Sequence, residues 1–395
     1  MKRVVVVGAS HAGVSAVEEL RKRGFGGEVV LAGAETHLPY SRPPLSKEML
    51  DGSVVDADGA ALHPRQWYHE QAITLRLGQR AVALDTASRE VALADGSTID
   101  YDGLVVATGV TLRRTAWTVD SGELFELRTK DDAVRLAADL PRIGHLVVIG
   151  AGFIGMEVAA SARARGVEVT VVDVAGWPMS RAFGERVGNW FCRLHEANGV
   201  RLQCSTGVDE IRRLDGRTTV RLTDGQVLTA DAVLVGIGTT PATDWLTGSG
   251  LEVDDGVMCD ATLATGVPGV VAAGDVVRWH NPRYGSPMRV EHWTNAVEQG
   301  AHAAATLLGD PQPYAPVPYL WTDQFDARTR CVGVMAPDDD AAVLTETESS
   351  LVAVFGRAGR VHGAVCVNAP RELVRLRQAI ARQATFDEIL PAGSH

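Results

Sequence analysis

Two short, almost wholly apolar runs, residues 4–7 and 146–149, each stop abruptly at a glycine-rich turn. The first turn reads Gly8-Ala9-Ser10-His11-Ala12-Gly13 and the second Gly150-Ala151-Gly152-Phe153-Ile154-Gly155. The offset is 142 positions and holds without a gap through Arg23-Gly24 and Arg165-Gly166. Behind each turn the pattern changes to helical spacing, near 12–22 in the first copy, and then to another apolar run at 29–32 and 169–172. An unbroken apolar run of this length fits a strand buried on both faces of a parallel sheet. Each copy therefore predicts strand, tight turn, helix and strand.

The segments between follow different patterns. Residues 74–104 alternate short apolar runs with turns such as Asp95-Gly96, which predicts antiparallel strands. Residues 104–107 form another buried strand ending at Thr108-Gly109, and a helix follows near 130–140. A meander near 208–228 turns at Asp215-Gly216 and Asp224-Gly225. Strands at 232–235 and 270–273 end at Gly236-Ile237-Gly238 and Gly274-Asp275. From about 310 the text changes: prolines, strand candidates at 332–334, 353–355 and 361–367, then a basic helix near 372–383. Leu38-Pro39-Tyr40-Ser41-Arg42-Pro43-Pro44-Leu45-Ser46-Lys47 carries three prolines and reads as a stiff loop entering a short helix at Ser46.

The predicted fold class is α/β, with two Rossmann-like dinucleotide-binding domains and a C-terminal α+β domain. Residues 1–109 and 236–309 form the first domain, 110–235 an inserted second and 310–395 the third. A chain of 395 residues suits that partition. Apolar runs are too short for a membrane helix, and a net charge of -11 disfavours broad nucleic-acid binding. The apolar stretch after Met1-Lys2-Arg3 is too short for a secretory signal, so the cytoplasm is expected. The last four residues are set aside as a tag remnant.

Two such turns predict two bound dinucleotides. A glycine turn lets the backbone approach a pyrophosphate, whose charge the helix N-terminus stabilises. Gly150, Gly152 and Gly155 complete the motif in the second copy, and Asp173 closes the next strand where it can take ribose hydroxyls. A carboxylate there repels a 2′-phosphate and favours NADH, against which nearby Arg181 is a counter-signal. In the first copy Ser10 replaces the middle glycine, and the acidic candidate is Glu35, beside Ala34. Lys47 is either a solvated helix residue or an ammonium placed by the proline loop to stabilise a reduced, anionic flavin. Asp275 is either a turn residue or a ribityl acceptor. Trp293 and Trp321 are core aromatics by default. The five cysteines include no close pair and the histidines no metal-ligand spacing, so no metal is expected.

Longer strings are more specific. Pro39 to Lys47, Ala107-Thr108-Gly109, Leu127-Arg128-Thr129, Gly150 to Glu157, Ala273-Gly274-Asp275, Val290-Glu291-His292-Trp293-Thr294-Asn295-Ala296 and Trp321-Thr322-Asp323-Gln324-Phe325-Asp326 span nearly the whole chain. Together they resemble the FAD-dependent ferredoxin reductases that serve bacterial cytochromes P450 and aromatic-ring dioxygenases. Rubredoxin reductases and apoptosis-inducing factors share the architecture. The resemblance implies a glutathione-reductase-like fold of FAD, NADH and C-terminal domains. It implies FAD at Gly8, Ser10, His11, Ala12, Gly13, Arg42, Lys47, Ala81, Ala107, Thr108, Gly109, Arg128, Gly274, Asp275, Glu291, His292 and Trp293. It implies NADH at Gly150, Gly152, Phe153, Ile154, Gly155, Glu157, Asp173, Arg181, Gly236, Ile237 and Gly238. Lys47, Glu157 and Trp321 are the implied catalytic residues, with Glu157 at the nicotinamide carboxamide and Trp321 beside the flavin. The family has Asp where this chain has Ala34, which leaves Glu35 as the substitute.

No cysteine precedes Cys192, so a thiol relay is disfavoured and electrons should leave FAD directly. The leading expectation is an NADH:ferredoxin reductase feeding a P450 or dioxygenase, as a monomer or homodimer. The alternatives are an NADH oxidase or quinone reductase without a protein acceptor, and a redox-sensing flavoprotein of apoptosis-inducing-factor type. An acidic ferredoxin would need a local basic patch, for which Arg371, Arg375, Arg377 and Arg382 on the last helix are candidates.

Overall fold

The computed structural model describes residues 1–51, 53, 60–115, 117, 124–214 and 217–390. Two compact units form. The first comprises Met1–Ser41, Asp58–Thr111 and Thr239–Pro318; the second comprises Arg42–Ala57, Leu112–Gly238 and Tyr319–His395.

The first unit is built on a parallel sheet. Its spatial order is Val270–Ala272, Gly103–Val106, Arg3–Val7, Glu28–Gly33 and Ile73–Leu77. Val4, Val5, Val6, Leu104, Val105 and Val106 are wholly buried, as strands covered on both faces must be. Helices His11–Lys22 and Trp293–Leu307 pack along each other. Their approach depends on Gly300, where a Cβ would stand 2.2 Å from the Ala12 carbonyl oxygen. A separate antiparallel meander, Ala81–Asp85, Glu90–Leu93 and Thr98–Asp100, follows the third strand.

One expectation is corrected here. The alternating text from residue 74 is not antiparallel throughout, because Ile73–Leu77 pairs parallel with Glu28–Gly33 at the sheet edge. An edge strand has a solvent-facing side, so it alternates like a hairpin strand whatever its direction. The crossover that carries helix Arg65–Glu70 sets the direction.

The second unit repeats the plan. Its sheet runs Leu124–Phe125, Ala232–Val235, His145–Ile149, Glu168–Val172 and Val200–Gln203, all parallel, with a meander Val208–Leu214, Arg217–Leu222 and Val227–Ala230. The duplication seen at the glycine turns therefore covers four sheet strands and the meander. Only the outermost strand differs: it comes from later in the chain in the first unit and from earlier in the second. The Asp215-Gly216 turn and residues 392–395 lie outside the described residues.

The second unit also holds a five-stranded antiparallel sheet in the order Tyr319–Gln324, Ala327–Gly333, Arg360–Val367, Leu351–Arg357 and Asp340–Glu346. Helix Pro370–Ala381 packs on it. Phe183, Val187, Trp190 and Phe191 of helix Ser180–Ala197 share a core with Leu351, Ala353, Phe355 and Val365 of this sheet. Its two edge strands, 319–324 and 340–346, mix apolar and polar positions; each holds a short apolar stretch, 319–321 and 341–344, bounded at once by polar residues and nowhere fully buried.

Candidate dinucleotide sites

The two glycine turns have matching geometry. Gly8 N–H donates to the Ala32 carbonyl and Gly150 N–H to the Val172 carbonyl, both at 2.8 Å. Gly8 has φ +122° and Gly150 φ +108°, in the left-handed region that disfavours a side chain. A Cβ would stand 2.0 Å from the Ala107 carbonyl oxygen at Gly8 and 2.2 Å from that of Gly236 at Gly150. Each turn is thus pressed onto the end of the neighbouring strand, which brings Ala107-Thr108-Gly109 to the first and Gly236-Ile237-Gly238 to the second. Gly13 and Gly155 lie equally close to the carbonyls of Gly8 and Gly150.

Both turns open helices whose first N–H groups face outward along the axis. The N-caps, Ser10 and Gly152, make no side-chain cap bond. Among the described residues, and apart from the turn and helix that Gly152 itself belongs to, no heavy atom lies within 4 Å of where a Gly152 Cβ would stand. That open space over a helix N-terminus fits a pyrophosphate. In the first turn the Ser10 hydroxyl stands in place of that space and can donate to a phosphate oxygen. Ile154, at the second helix start, is 45% exposed, whereas Phe153 packs edge-on against Phe183.

The hydrogen bonds that align the turns also align the strand ends, so Gly33 is the counterpart of Asp173. A Gly33 Cβ would come 2.6 Å from the Ala9 Cβ, which leaves no room for an acid there. Glu35, two residues on, accepts a hydrogen bond from the Tyr40 hydroxyl at 2.5 Å. Asp173 accepts from Ala151 N–H at 2.6 Å with one oxygen and from Ala175 N–H at 2.7 Å with the other. Its carboxylate is therefore fixed at the second turn, with lone pairs left for hydroxyl donors. Arg181 is exposed in the first turn of its helix.

Further residues converge in the first unit. Trp293 Nε1–H donates to His11 Nε2 at 2.8 Å, with the rings edge-on at 5.3 Å. Gly274 N–H donates to Gln299 Oε1 at 2.9 Å, and Asp275 follows, half-buried. Arg289 holds Glu291 at 2.5 Å and donates to the Asp275 carbonyl at 3.4 Å, while Thr239 donates to the other Glu291 oxygen at 2.7 Å. Glu291 is thus committed to bracing this loop. Ala81 is half-buried at the start of its strand. Two buried polar atoms, Gln299 Nε2 and His292 Nδ1, lack hydrogen-bond partners. Burial pushes His292 down to about 4, against the opposing effect of Glu291. Orphaned donors and acceptors beside an anion cradle fit a polar ligand such as FAD. Arg289, Gln299 and Gly300 were not singled out in the sequence; a Gln within an Ala-rich helix face was the available signal.

In the second unit Arg42 donates to the Arg128 carbonyl at 2.5 Å, which joins the proline loop to the start of helix Lys130–Asp139. The 3₁₀ turn Pro43–Ser46 then delivers Ser46 and Lys47 to Glu157 on helix Phe153–Ala164. Glu157 is 3% exposed. Lys47 Nζ stands 2.7 Å from its Oε2, which also accepts from Ser46 Oγ at 2.5 Å. Its Oε1 accepts from Thr322 Oγ1 at 2.6 Å. The structure thus brings together Lys47 and Glu157, which the sequence assigned to different cofactors, and adds Ser46 and Thr322, which it missed. Trp321, next to Thr322 on the strand, tilts against Tyr319 on the opposite face.

All five cysteines are free. Burial pushes Cys192 and Cys204 up to about 11 and Cys259 and Cys366 up to about 12, and raises Cys331 further. None has the depressed thiol of a redox cysteine. Among the described residues no group of three or more His, Cys, Asp or Glu is placed to hold a metal ion.

The family model described as pyridine nucleotide-disulphide oxidoreductase matches residues 2–300, and that described as reductase C-terminal matches 319–391. The chain is 39% identical over 97% of its length to the ferredoxin–NAD(+) reductase component of the anthranilate 1,2-dioxygenase system of Burkholderia cepacia, covering 95% of that protein. This chain belongs to the ferredoxin reductases. The crystal structure of the ferredoxin reductase for the CYP199A2 system of Rhodopseudomonas palustris matches it with TM-score 0.94 and 35% identity, covering all of this chain and 98% of that one. The reductase in the covalent putidaredoxin reductase–putidaredoxin complex matches with TM-score 0.91 and 32% identity, over 97% of this chain and 93% of that one. Ferredoxin reductases of this kind use FAD and NADH, and the family's C-terminal module accounts for the third sheet. No described helix of this reductase is long and apolar enough to cross a membrane.

Proposed function

We propose that the chain takes hydride from NADH and passes single electrons to an acidic ferredoxin, which serves a P450 or dioxygenase in the cytoplasm. Two dinucleotide cradles in a chain without an activated thiol carry this reading. FAD, when bound, accepts two electrons as hydride and releases them one at a time. Gly8, Ser10, His11, Ala12 and Gly13 hold its pyrophosphate, Glu35 its ribose, and Asp275 its ribityl chain. Thr108, Gly109, Gly274, His292 and Trp293 complete that site in the first unit. Gly150 to Gly155, Asp173 and Gly236 to Gly238 hold NADH. Lys47 and Glu157 act at the hydride-transfer step by positioning and charge, and no acid–base residue is required. A panel of acceptors tests the reading. Ferredoxin should be reduced faster than oxygen or quinones; the reverse order would make the chain an oxidase or quinone reductase.

The fixed Asp173 carboxylate should make NADH the better donor. Its repulsion of a 2′-phosphate is worth about 1–3 kcal/mol, or about 5- to 150-fold in kcat/KM. Equal or reversed kcat/KM for NADH and NADPH would count against this assignment, with Arg181 as the residue that offsets Asp173.

Helix Pro370–Ala381 is the proposed docking face. Arg371, Arg375, Arg377 and Arg382 are all exposed, and Val374, 59% exposed, sits between the first two. Arg375 pairs with Glu372 at 2.7 Å and Arg382 with Glu388 at 2.6 Å, which weakens the patch. Reversing Arg371 and Arg375 to Glu should raise KM for ferredoxin, most at low salt, with ferricyanide turnover unchanged. Unaltered ferredoxin kinetics and salt dependence would place docking elsewhere.

Replacing all five cysteines by Ser or Ala should leave NADH-to-ferricyanide turnover within a few-fold, because every thiol is shifted away from the reactive thiolate. A large loss from one substitution in a folded, FAD-loaded variant would restore a thiol relay.

A further inference from the structure

The buried polar line does not end at Glu157. Thr322 Oγ1, which donates to Glu157, accepts from Gln324 Nε2 at 3.1 Å. Gln324 Oε1 then meets His195 Nε2 at 2.9 Å. Thr322, Gln324 and His195 are essentially inaccessible to water. His195 Nδ1 has no partner, and Phe325 closes over the ring edge-on at 5.0 Å.

Chemistry fixes the direction of this line. A carboxylate paired with an ammonium can only accept, so the Thr322 proton must point to Glu157. Thr322 must then receive a proton from the Gln324 amide. That turns the amide oxygen to His195, which must donate through Nε2–H. Burial, partly offset by the Gln324 bond, pushes His195 down to about 4, so the ring is neutral near pH 7 and Nδ1 is bare. Three residues, His195 on helix Ser180–Ala197 and Gln324 and Thr322 on the edge strand of the C-terminal sheet, thus aim three successive donors at the Glu157 carboxylate.

We propose that Gln324 is a positioning residue for the reduction step: it sets the direction of the His195–Gln324–Thr322 line and so fixes the Glu157 carboxylate that holds Lys47. The inference rests on the reading that Glu157 serves reduction by NADH. It also gives the C-terminal sheet a part in the first half of the reaction, separate from any docking role.

Two near-isosteric variants test it. Gln324→Met keeps the volume and removes the hydrogen bonds to His195 and Thr322, together with the weak one that Nε2 donates to Met179 Sδ at 3.7 Å. Gln324→Glu keeps the line when the new carboxyl is protonated, since its O–H can donate to Thr322 while its carbonyl accepts from His195. Once ionised it only accepts, so the Thr322 proton turns away from Glu157. The titratable groups along this line are His195, Glu157 and Lys47.

The rate of flavin reduction by NADH should fall on the order of tenfold in Gln324→Met at every pH. In Gln324→Glu it should match the wild type at low pH and fall as pH rises, a transition the wild type lacks. That comparison is made within one folded protein, so it survives if Gln324→Met fails to fold. Thermal stability of the full-length Gln324→Glu chain should fall from about pH 4, where the unfolded carboxyl ionises, up to the pH at which the rate drops, and level off above it, because the buried carboxyl stays neutral in the folded chain over that interval. Nitrogen NMR of the wild type should show His195 as the Nε2–H tautomer. The Nδ1–H tautomer, or wild-type rates for both Gln324 variants while Glu157→Gln is slow, would overturn the proposal. Wild-type reduction in Glu157→Gln would instead overturn the underlying role of Glu157.

Discussion

Replacing Glu157 by Gln should slow reduction of bound FAD by NADH on the order of a hundredfold while FAD stays bound. The substitution keeps the side-chain volume and removes the counter-charge of Lys47, whose ammonium lies 2.7 Å from Glu157 Oε2 and is mostly buried. It also takes an anion from Ser46 and Thr322, each of which donates to it. Breaking a buried pair from one side costs about 3–5 kcal/mol, since the remaining charge is left uncompensated. A stability loss alone would not establish a role in the reaction. The double variant Lys47→Met with Glu157→Gln separates the two effects. It should recover much of the stability, because no buried charge remains, yet stay slow in stopped-flow reduction. Rates that recover together with stability would make the pair purely structural.

Gly152→Val should leave folding and FAD content unchanged and raise KM for NADH on the order of a hundredfold. Gly152 has φ −77° and ψ −175°, extended backbone that any residue adopts, and among the described residues beyond its own turn and helix no heavy atom lies within 4 Å of its Cβ position. The added isopropyl group therefore fills the space assigned to the pyrophosphate and little else. Gly150→Val differs: it combines φ +108° with a Cβ 2.2 Å from a carbonyl, so it should damage the unit itself. Thermal melts, FAD absorbance and NADH kinetics on the two variants distinguish these cases. An unchanged KM in Gly152→Val would remove NADH from this cradle.

The parts of the fold that were legible have short-range causes. A buried parallel strand reads as an unbroken apolar run, and residues 4–7 and 146–149 do so. Strand direction was less legible: Ile73–Leu77 alternates like a hairpin strand yet pairs parallel. The half-polar edge strands Tyr319–Gln324 and Asp340–Glu346 were missed for a related reason, since an edge buries only part of its surface.

The sequence alone determined the two strand–glycine–helix turns. Gly8 and Gly150 satisfy a backbone constraint at positive φ that a side chain does not fit. It also marked Asp173 and the proline loop. Tertiary structure decided what those residues meet. Only the fold shows that Gly33, pressed on Ala9, occupies the place of Asp173. Only the fold brings Lys47, Glu157, Thr322, Gln324 and His195 into one line. The physical reason is that a charge is buried, and a hydrogen bond directed, by groups from several distant stretches at once. No local pattern records which of them will meet.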